Sequence, residues 1–216
     1  MIGVTNAFVN EASSSVDEVG NGIYIAASSG QFINPSDWGS VDDVAVGVAV
    51  ITDNSRFIIG RVSAQQTDTP WSSNTSTDLS DVPTSTSSST IATYYDGVAY
   101  TDAMIAAGSS YNTTSYAAGY ARSKSISFGG TTLTGYLGSA GEWQDALNNH
   151  QAIMDAFTNI GETFVSSYYY FWASCEYSSS YAWYAYWDES LSYWYLDSYN
   201  KSNSYSDYCV VPFYKI

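Results

Sequence analysis

From Tyr168 to Ile216 the chain runs 49 residues without a glycine and carries 13 tyrosines and four tryptophans. Within this stretch Trp183, Ala185 and Trp187 alternate with Tyr184, Tyr186 and Asp188, and Trp194 and Leu196 alternate with Tyr193, Tyr195 and Asp197. A strand sends successive side chains to opposite faces, so a period of two demands β-structure. The economical arrangement is a hairpin turning near Glu189-Ser190. It puts Trp183, Trp187, Trp194 and Leu196 inward and the tyrosines and aspartates outward.

A core cannot use so many tyrosines, because each buried hydroxyl needs a partner. The outward set therefore reads as a contact surface, since Tyr, Ser and Asn give area and adaptable hydrogen bonding at low entropic cost. The candidate ligand-binding residues are Tyr168, Tyr169, Tyr177, Ser179, Tyr181, Tyr184, Tyr186, Asp188, Tyr193, Tyr195, Asp197, Tyr199 and Tyr205. Trp172, Trp183 and Trp187 read as scaffold. On this reading, replacing Tyr184 and Tyr195 together by alanine removes binding and leaves the melting temperature almost unchanged.

Upstream, the period changes to 3.6. Ser139 followed by Glu142 is a capping-box pattern, and Trp143, Ala146, Leu147, His150, Ile153, Met154, Phe157 and Ile160 form one apolar stripe. One helix ending at Gly161 is expected, with glycine at the C′ position. A shorter helix is expected over Asp96 to Ala107, with Ala99, Ala103, Met104 and Ala107 on one face. Gly22 to Ala27 reads as a strand followed by a turn. Val44 to Ile51 and Phe57 to Gly60 read as a hairpin around Thr52-Asp53-Asn54-Ser55. Val210-Val211-Pro212-Phe213 reads as a last apolar strand. Residues 72–90 hold 13 Ser or Thr out of 19 and read as a loop or low-complexity insertion. Residues 1–20 read as an attachment arm ahead of a single α+β domain, 21–216.

Charged residues are 12%, about half the usual share, while hydrophobic residues at 45% suffice for a core. Surface polarity must then come from Ser, Thr, Asn and Tyr, a composition common at extracellular and virion surfaces. The net charge of −15 argues against nucleic acid, whose phosphates need Lys and Arg. No run of 18 apolar residues offers a membrane span. The N-terminal residues lack a basic n-region and an apolar h-region, so no signal peptide is read. Such a composition without an export signal points to a removed leader or to export within a virus particle.

Catalytic and metal patterns are weak. His150, the only histidine, falls on the apolar stripe and reads as a boundary residue. Asp42-Asp43 and Asp188-Glu189 are adjacent pairs and read as solvated turn charges. No GxSxG elbow, phosphate-cradling glycine motif or calcium loop occurs. Arg122-Ser123-Lys124 reads as a solvated face. Cys175 and Cys209 read as two free thiols, with one disulfide as the open alternative. No cofactor or metal is expected.

Three segments in order, GYLGSAGEWQDALNNHQAI, FWASCEYSSSYAW and VVPF, resemble the C-type-lectin-like domains of Bacteroidetes and their phages. Those carry a G-Y-L-P-S-A-G-E-W pattern, a long helix, W-S-S-T-E-Y, A-W and a closing R-V-R-P-V. GIYIA, VAVGVAVIT and YYDGVAYTDAMI fit upstream, so the resemblance spans Gly22 to Ile216. It implies a C-type-lectin-like fold of two helices on short antiparallel sheets. It also implies a variable region, here about 168–209, of the kind diversified by retroelements through adenine mutagenesis. The implied function is non-enzymatic recognition of a host-surface protein or glycan, on a phage particle or bacterial surface. Virion proteins or further copies, as in a trimer, would be met through the arm. Gly138 stands where the pattern often has proline, and Val210-Val211-Pro212 lacks its arginines. The calcium-binding motifs of sugar-binding lectins are absent, Trp187-Asp188-Glu189 being a partial echo. Two other readings are a structural virion or adhesin subunit whose aromatic face is a subunit interface, and an enzyme of the formylglycine-generating type using Cys175 and Cys209.

Overall fold

The computed structural model of the chain describes residues 19–165, 168–188 and 193–216. The fold is mixed α+β, built on two sheets. The first sheet contains β1 (Gly22–Ala27), β2 (Phe32–Ile33), β3 (Ala45–Ile51), β4 (Arg56–Gly60), β6 (Ser125–Phe128), β7 (Thr131–Leu137) and β12 (Pro212–Lys215), in the order β2-β1-β3-β4-β12-β7-β6. The second contains β5 (Gln66–Thr67), β8 (Tyr168–Ser178), β9 (Tyr181–Asp188), β10 (Tyr193–Asn200) and β11 (Tyr208–Val210), in the order β10-β9-β8-β11-β5. The helices are α1 (Ser88–Ile91), α2 (Gly97–Ala106), α3 (Ala117–Arg122), α4 (Ala140–Asn148) and α5 (His150–Asn159). Among the described residues no helix is long and apolar enough to cross a membrane.

The β1 strand, the β3–β4 hairpin and α2 form where expected. The buried face of α2 differs, however: it carries Gly97, Thr101 and Met104, while Ala99 and Ala107 are exposed. The last apolar run is two strands rather than one. Val210 ends β11 in the second sheet, and Pro212 begins β12 in the first, with buried Val211 between them. Proline is tolerated at the first residue of a strand, where its missing N–H need not serve the ladder.

The expected single helix is two. Ser139 and Glu142 form the capping box, and Gly161 follows with φ +78°. At Asn149 the backbone leaves the helical region, with φ −114° and ψ 17°. The Asn149 amide N–H donates to Ala146 O, and its side chain takes the Asp145 carbonyl at 2.8 Å. A side chain that serves a nearby carbonyl competes with the helix ladder. The apolar stripe continues through the break: Trp143, Leu147, Ile153 and Phe157 are all buried.

Two sequence motifs interlock at the start of α4. The Gly141 N–H donates to Tyr94 O at 3.0 Å. A Cβ at Gly97 would lie 2.5 Å from Glu142 Oε2, and one at Gly141 would lie 2.6 Å from Tyr94 O. The close approach of α2 to α4 therefore needs glycine at both positions. Glu142 is fully buried and accepts from Tyr136 Oη at 2.8 Å and from Ser139 N at 2.8 Å. Burial raises its pKa and these donors draw it back down. Asp145, one turn on, receives the hydroxyls of Thr52 and Ser55 at 2.6 Å each, which ties the β3–β4 turn to α4.

Helices α4 and α5 and the inner face of the first sheet pack on one face of the second sheet. This main core includes Phe57, Phe213, Trp143, Phe171, Trp183 and Trp187. A second core lies on the opposite face of the second sheet, where Trp71, Val82, Met104 and Tyr111 cover Trp172, Ala182 and Tyr184. The second sheet is thus buried on both faces over part of its length, and this places the candidate site.

Candidate functional site: a partly covered tyrosine face

The expected alternation is present. Trp183, Ala185, Trp187 and Leu196 belong to the main core, and Trp194 packs against it. Tyr184, Tyr186, Tyr195 and Asp197 lie on the other face. Registration makes that face a lattice. In one row Asp197 pairs with Tyr184 and Tyr184 with Trp172; in the next, Tyr195 pairs with Tyr186, Tyr186 with Tyr170 and Tyr170 with Tyr208. Tyr170 and Tyr186 stack at 5.1 Å, Tyr170 and Tyr208 stack at 4.7 Å, and Tyr186 meets Tyr195 edge-on at 5.1 Å. Contacts of this kind are worth about 0.5–1.5 kcal/mol each beyond burial.

The face is not uniformly open, which corrects the expected outward set. Tyr184 is 5% exposed and Asp188 3%. Tyr184 lies beneath the cover: its ring meets Trp172, Tyr170 and Tyr208, and its hydroxyl donates to Asp197 Oδ2 at 3.3 Å. The Asp188 carboxylate accepts from Tyr186 Oη at 2.9 Å. Burial first, and then the neighbouring aspartates, push the Tyr184 and Tyr186 hydroxyls well above the usual phenol range. Removing Tyr184 with Tyr195 must therefore cost stability, contrary to the expectation of an unchanged melting temperature.

Tyr170, Tyr186 and Tyr195 are half-exposed, and Asp197 and Tyr199 are exposed. Tyr199 leans over Tyr208 at 5.4 Å, and Tyr205, in the following loop, is 66% exposed. Other expected residues lie apart from this lattice. Tyr169 pairs with Trp187 and packs against the main core, so it faces away. Tyr177 packs on Trp183 at 5.5 Å and meets exposed Tyr181 at 6.4 Å, with half-buried Ser179 in the β8–β9 turn; these three form a separate patch. Tyr168 and Tyr193 both pair with Asp188 in the backbone, but their side chains, with the Glu189-Ser190 turn and residues 1–18 of the expected arm, lie outside the described residues.

Tyr170 and Tyr208 join the lattice although neither was singled out. Tyr170 is two residues before Trp172, and period two alone places it on that face. Tyr208 arrives by the parallel pairing of β11 with β8, a long-range contact.

The cover comes from the Ser/Thr-rich segment, which is pinned rather than loose. Trp71 Nε1 donates to Ala173 O and Trp172 Nε1 to Thr69 O, both at 2.8 Å. Thr84 bridges to Glu176, Glu176 N donates to Pro83 O at 2.8 Å, and Ser85 N donates to Glu176 O at 3.1 Å. Below them Lys201 and Glu176 form an ion pair at 2.5 Å with both side chains fully buried. Glu176 Oε2 also accepts from Leu79 N at 2.9 Å and Thr84 Oγ1 at 3.3 Å, and the Lys201 ammonium sits 5.0 Å from the Trp71 ring. Burial raises the Glu176 pKa against the pull of Lys201 and these donors.

His150 behaves as a boundary residue. It stacks on Trp194 with centroids 3.3 Å apart, and its Nδ1 meets Leu147 O at 3.1 Å. Cys175 and Cys209 are free and buried, and burial pushes each thiol up to about 12. Among the described residues no three His, Cys, Asp or Glu side chains converge in a way that could hold a metal ion. Comparison with models of protein families, with curated proteins and with solved structures finds no match.

Proposed function

We propose that the chain is a non-enzymatic binding protein that recognises a surface ligand through the open part of its tyrosine face. The observation that carries this is the row Tyr195–Tyr186–Tyr170–Tyr208, registered across four strands and half-exposed over its first three members. Contiguous exposed aromatic surface marks interaction sites, and tyrosine is enriched at binding hot spots. A preformed lattice also loses little side-chain freedom on binding.

The scaffold we favour is C-type-lectin-like, displayed on a phage particle or bacterial surface, with its tail diversified by a retroelement. The interlock of YYDG with SAGEW supports this, because the residues that carry the resemblance meet in one contact. Gly138 is a real departure: a Cβ there would lie 2.5 Å from the Phe213 ring, so proline would not fit without a shift. The oxidase-type alternative finds little support, since a catalytic cysteine needs accessible thiolate, whereas both thiols here are buried and raised to about 12.

Sequencing the 3′ end of the gene across related strains tests the reading. Substitutions should gather at Tyr186, Tyr195, Asp197 and Tyr199 and spare Trp172, Trp183 and Trp187. A reverse transcriptase gene beside an adenine-substituted near copy of that end is expected. Variation spread evenly over the chain, with no such copy, would remove the diversification claim.

A further inference from the structure

We propose that the partner met by this face is cationic: a protein segment that presents an arginine to Tyr195 and Asp197. The inference rests on the reading of the tyrosine lattice as a recognition face and names its partner class.

Charge distribution carries it first. The chain holds six Lys and Arg against 21 Asp and Glu. Five of the six, Arg56, Arg61, Arg122, Lys124 and Lys215, belong to the first sheet, α3 and their flanks. The sixth, Lys201, is buried against Glu176. Strands β8 to β11 contain no lysine or arginine; Glu176 is neutralised by Lys201 and Asp188 is buried, so the exposed charge on this face is the carboxylate of Asp197. A face of this sign on an anionic protein attracts cations over a distance and repels acidic partners.

The second ground is geometry. Asp197 is exposed, and it is held without a cation. Its Oδ1 accepts from Ser198 N at 2.7 Å and its Oδ2 from Tyr184 Oη at 3.3 Å. Each oxygen keeps a lone pair, so the carboxylate is oriented and still able to accept. Among the described residues no lysine or arginine pairs with it. Tyr195 stands two residues earlier on the same strand face, roughly 7 Å away along the strand. A guanidinium lying on a phenol ring gains cation–π attraction, and its planar fork can then meet a neighbouring carboxylate. Arginine suits the pair better than lysine, whose compact ammonium is more strongly hydrated. A neutral glycan would use the rings but leave Asp197 without its matching charge.

The test is an NMR titration of the 15N-labelled chain with the tripeptide Gly-Arg-Gly, alongside Gly-citrulline-Gly and glucose. The arginine peptide should move the amides of Tyr186, Tyr195 and Asp197. The citrulline peptide should bind roughly three- to fivefold more weakly. Asp197→Asn should weaken the arginine peptide by a similar factor at an unchanged melting temperature, and added salt should weaken it further. Equal binding of the arginine and citrulline peptides overturns the cationic assignment and leaves the recognition face standing. So does glucose moving the lattice while the arginine peptide is silent. Shifts confined to other surfaces, or none with any probe, overturn both.

Discussion

The buried pair of Lys201 and Glu176 offers a sharp test of why a Ser/Thr-rich segment is ordered at all. Replacing Lys201 by methionine keeps an unbranched side chain in the buried site and removes the charge. The Glu176 carboxylate then stays buried with only Leu79 N–H and the Thr84 hydroxyl as partners. Breaking a buried pair by deleting one member costs about 3–5 kcal/mol. For a chain of this size that is a fall in melting temperature of roughly 6–20 °C. The pH dependence has a definite sign. Burial already holds the Glu176 carboxyl above the usual range, against the pull of Lys201. Without Lys201 it rises further, so the folded variant binds the Glu176 proton more tightly than the unfolded chain does. The variant's deficit is then largest above the raised folded value and shrinks as pH falls toward the unfolded glutamate value of about 4.3. Urea unfolding followed by tryptophan fluorescence, at several pH values between about 4 and 8, measures this. The double variant Lys201→Met with Glu176→Gln should recover part of the loss, because glutamine still accepts from Leu79 N–H. A single-variant loss under about 1 kcal/mol, or a deficit that grows on acidification, would refute the reasoning.

The covered and open parts of the tyrosine face should separate by stability. Tyr184→Ala, beneath the cover, should cost about 3 kcal/mol, and exposed Tyr199→Ala no more than about 0.5 kcal/mol, by chemical denaturation; similar losses would contradict the boundary drawn here. Both cysteines, buried and raised to about 12, should be silent to Ellman's reagent in the native chain and titrate as two thiols on unfolding; rapid native reaction would show the burial to be wrong. Asp145→Ala leaves the Thr52 and Ser55 hydroxyls without their shared acceptor and should cost about 1–3 kcal/mol. Amide exchange should quicken in the β3–β4 turn, and unchanged exchange there would argue against the tie to α4.

What could be read from sequence was local. The Ser139–Glu142 capping box, the Thr52–Ser55 turn and the period-two tail each depend on residues a few positions apart. The features that escaped depend on distant partners. Asn149 breaks the helix because its side chain takes a carbonyl of the preceding turn, and nothing in the apolar stripe records that, since the stripe runs on through the break. Tyr184 is buried in a core to which distant residues such as Trp71 and Val82 contribute. The Ser/Thr composition of residues 72–90 hid this, because its few apolar residues and its contacts to Glu176 carry the docking while its serines, apart from buried Ser72, are exposed or half-exposed. The change of sheet at Val211 likewise follows from which strands its neighbours pair with, and an apolar run does not specify that.

The cover also limits what the face can vary. Of the rows that run across β8, β9 and β10, the one holding Tyr184 and Trp172 is closed by the Trp71 segment. The one holding Tyr195, Tyr186 and Tyr170 is half-exposed, with Tyr170 and Tyr186 resting on the second core and Tyr208 buried at its end. A substitution at Tyr184 must satisfy Trp172, Tyr208 and Asp197 together, whereas Tyr195 is half-exposed and meets Tyr186 edge-on. Asp197 joins the two rows: its carboxylate is exposed, yet it receives the buried Tyr184 hydroxyl. Exchanging it for another acceptor such as asparagine preserves that bond, whereas an apolar replacement strands a buried phenol at a cost of about 1–3 kcal/mol. If this face is a diversified one, the tolerated alphabet at Asp197 should therefore be narrower than at Tyr195 and confined to side chains that accept a hydrogen bond. A library randomised at both positions and sorted for folded protein would measure this. Recovery of leucine or valine at Asp197 as often as at Tyr195 would show that the bond to Tyr184 contributes nothing.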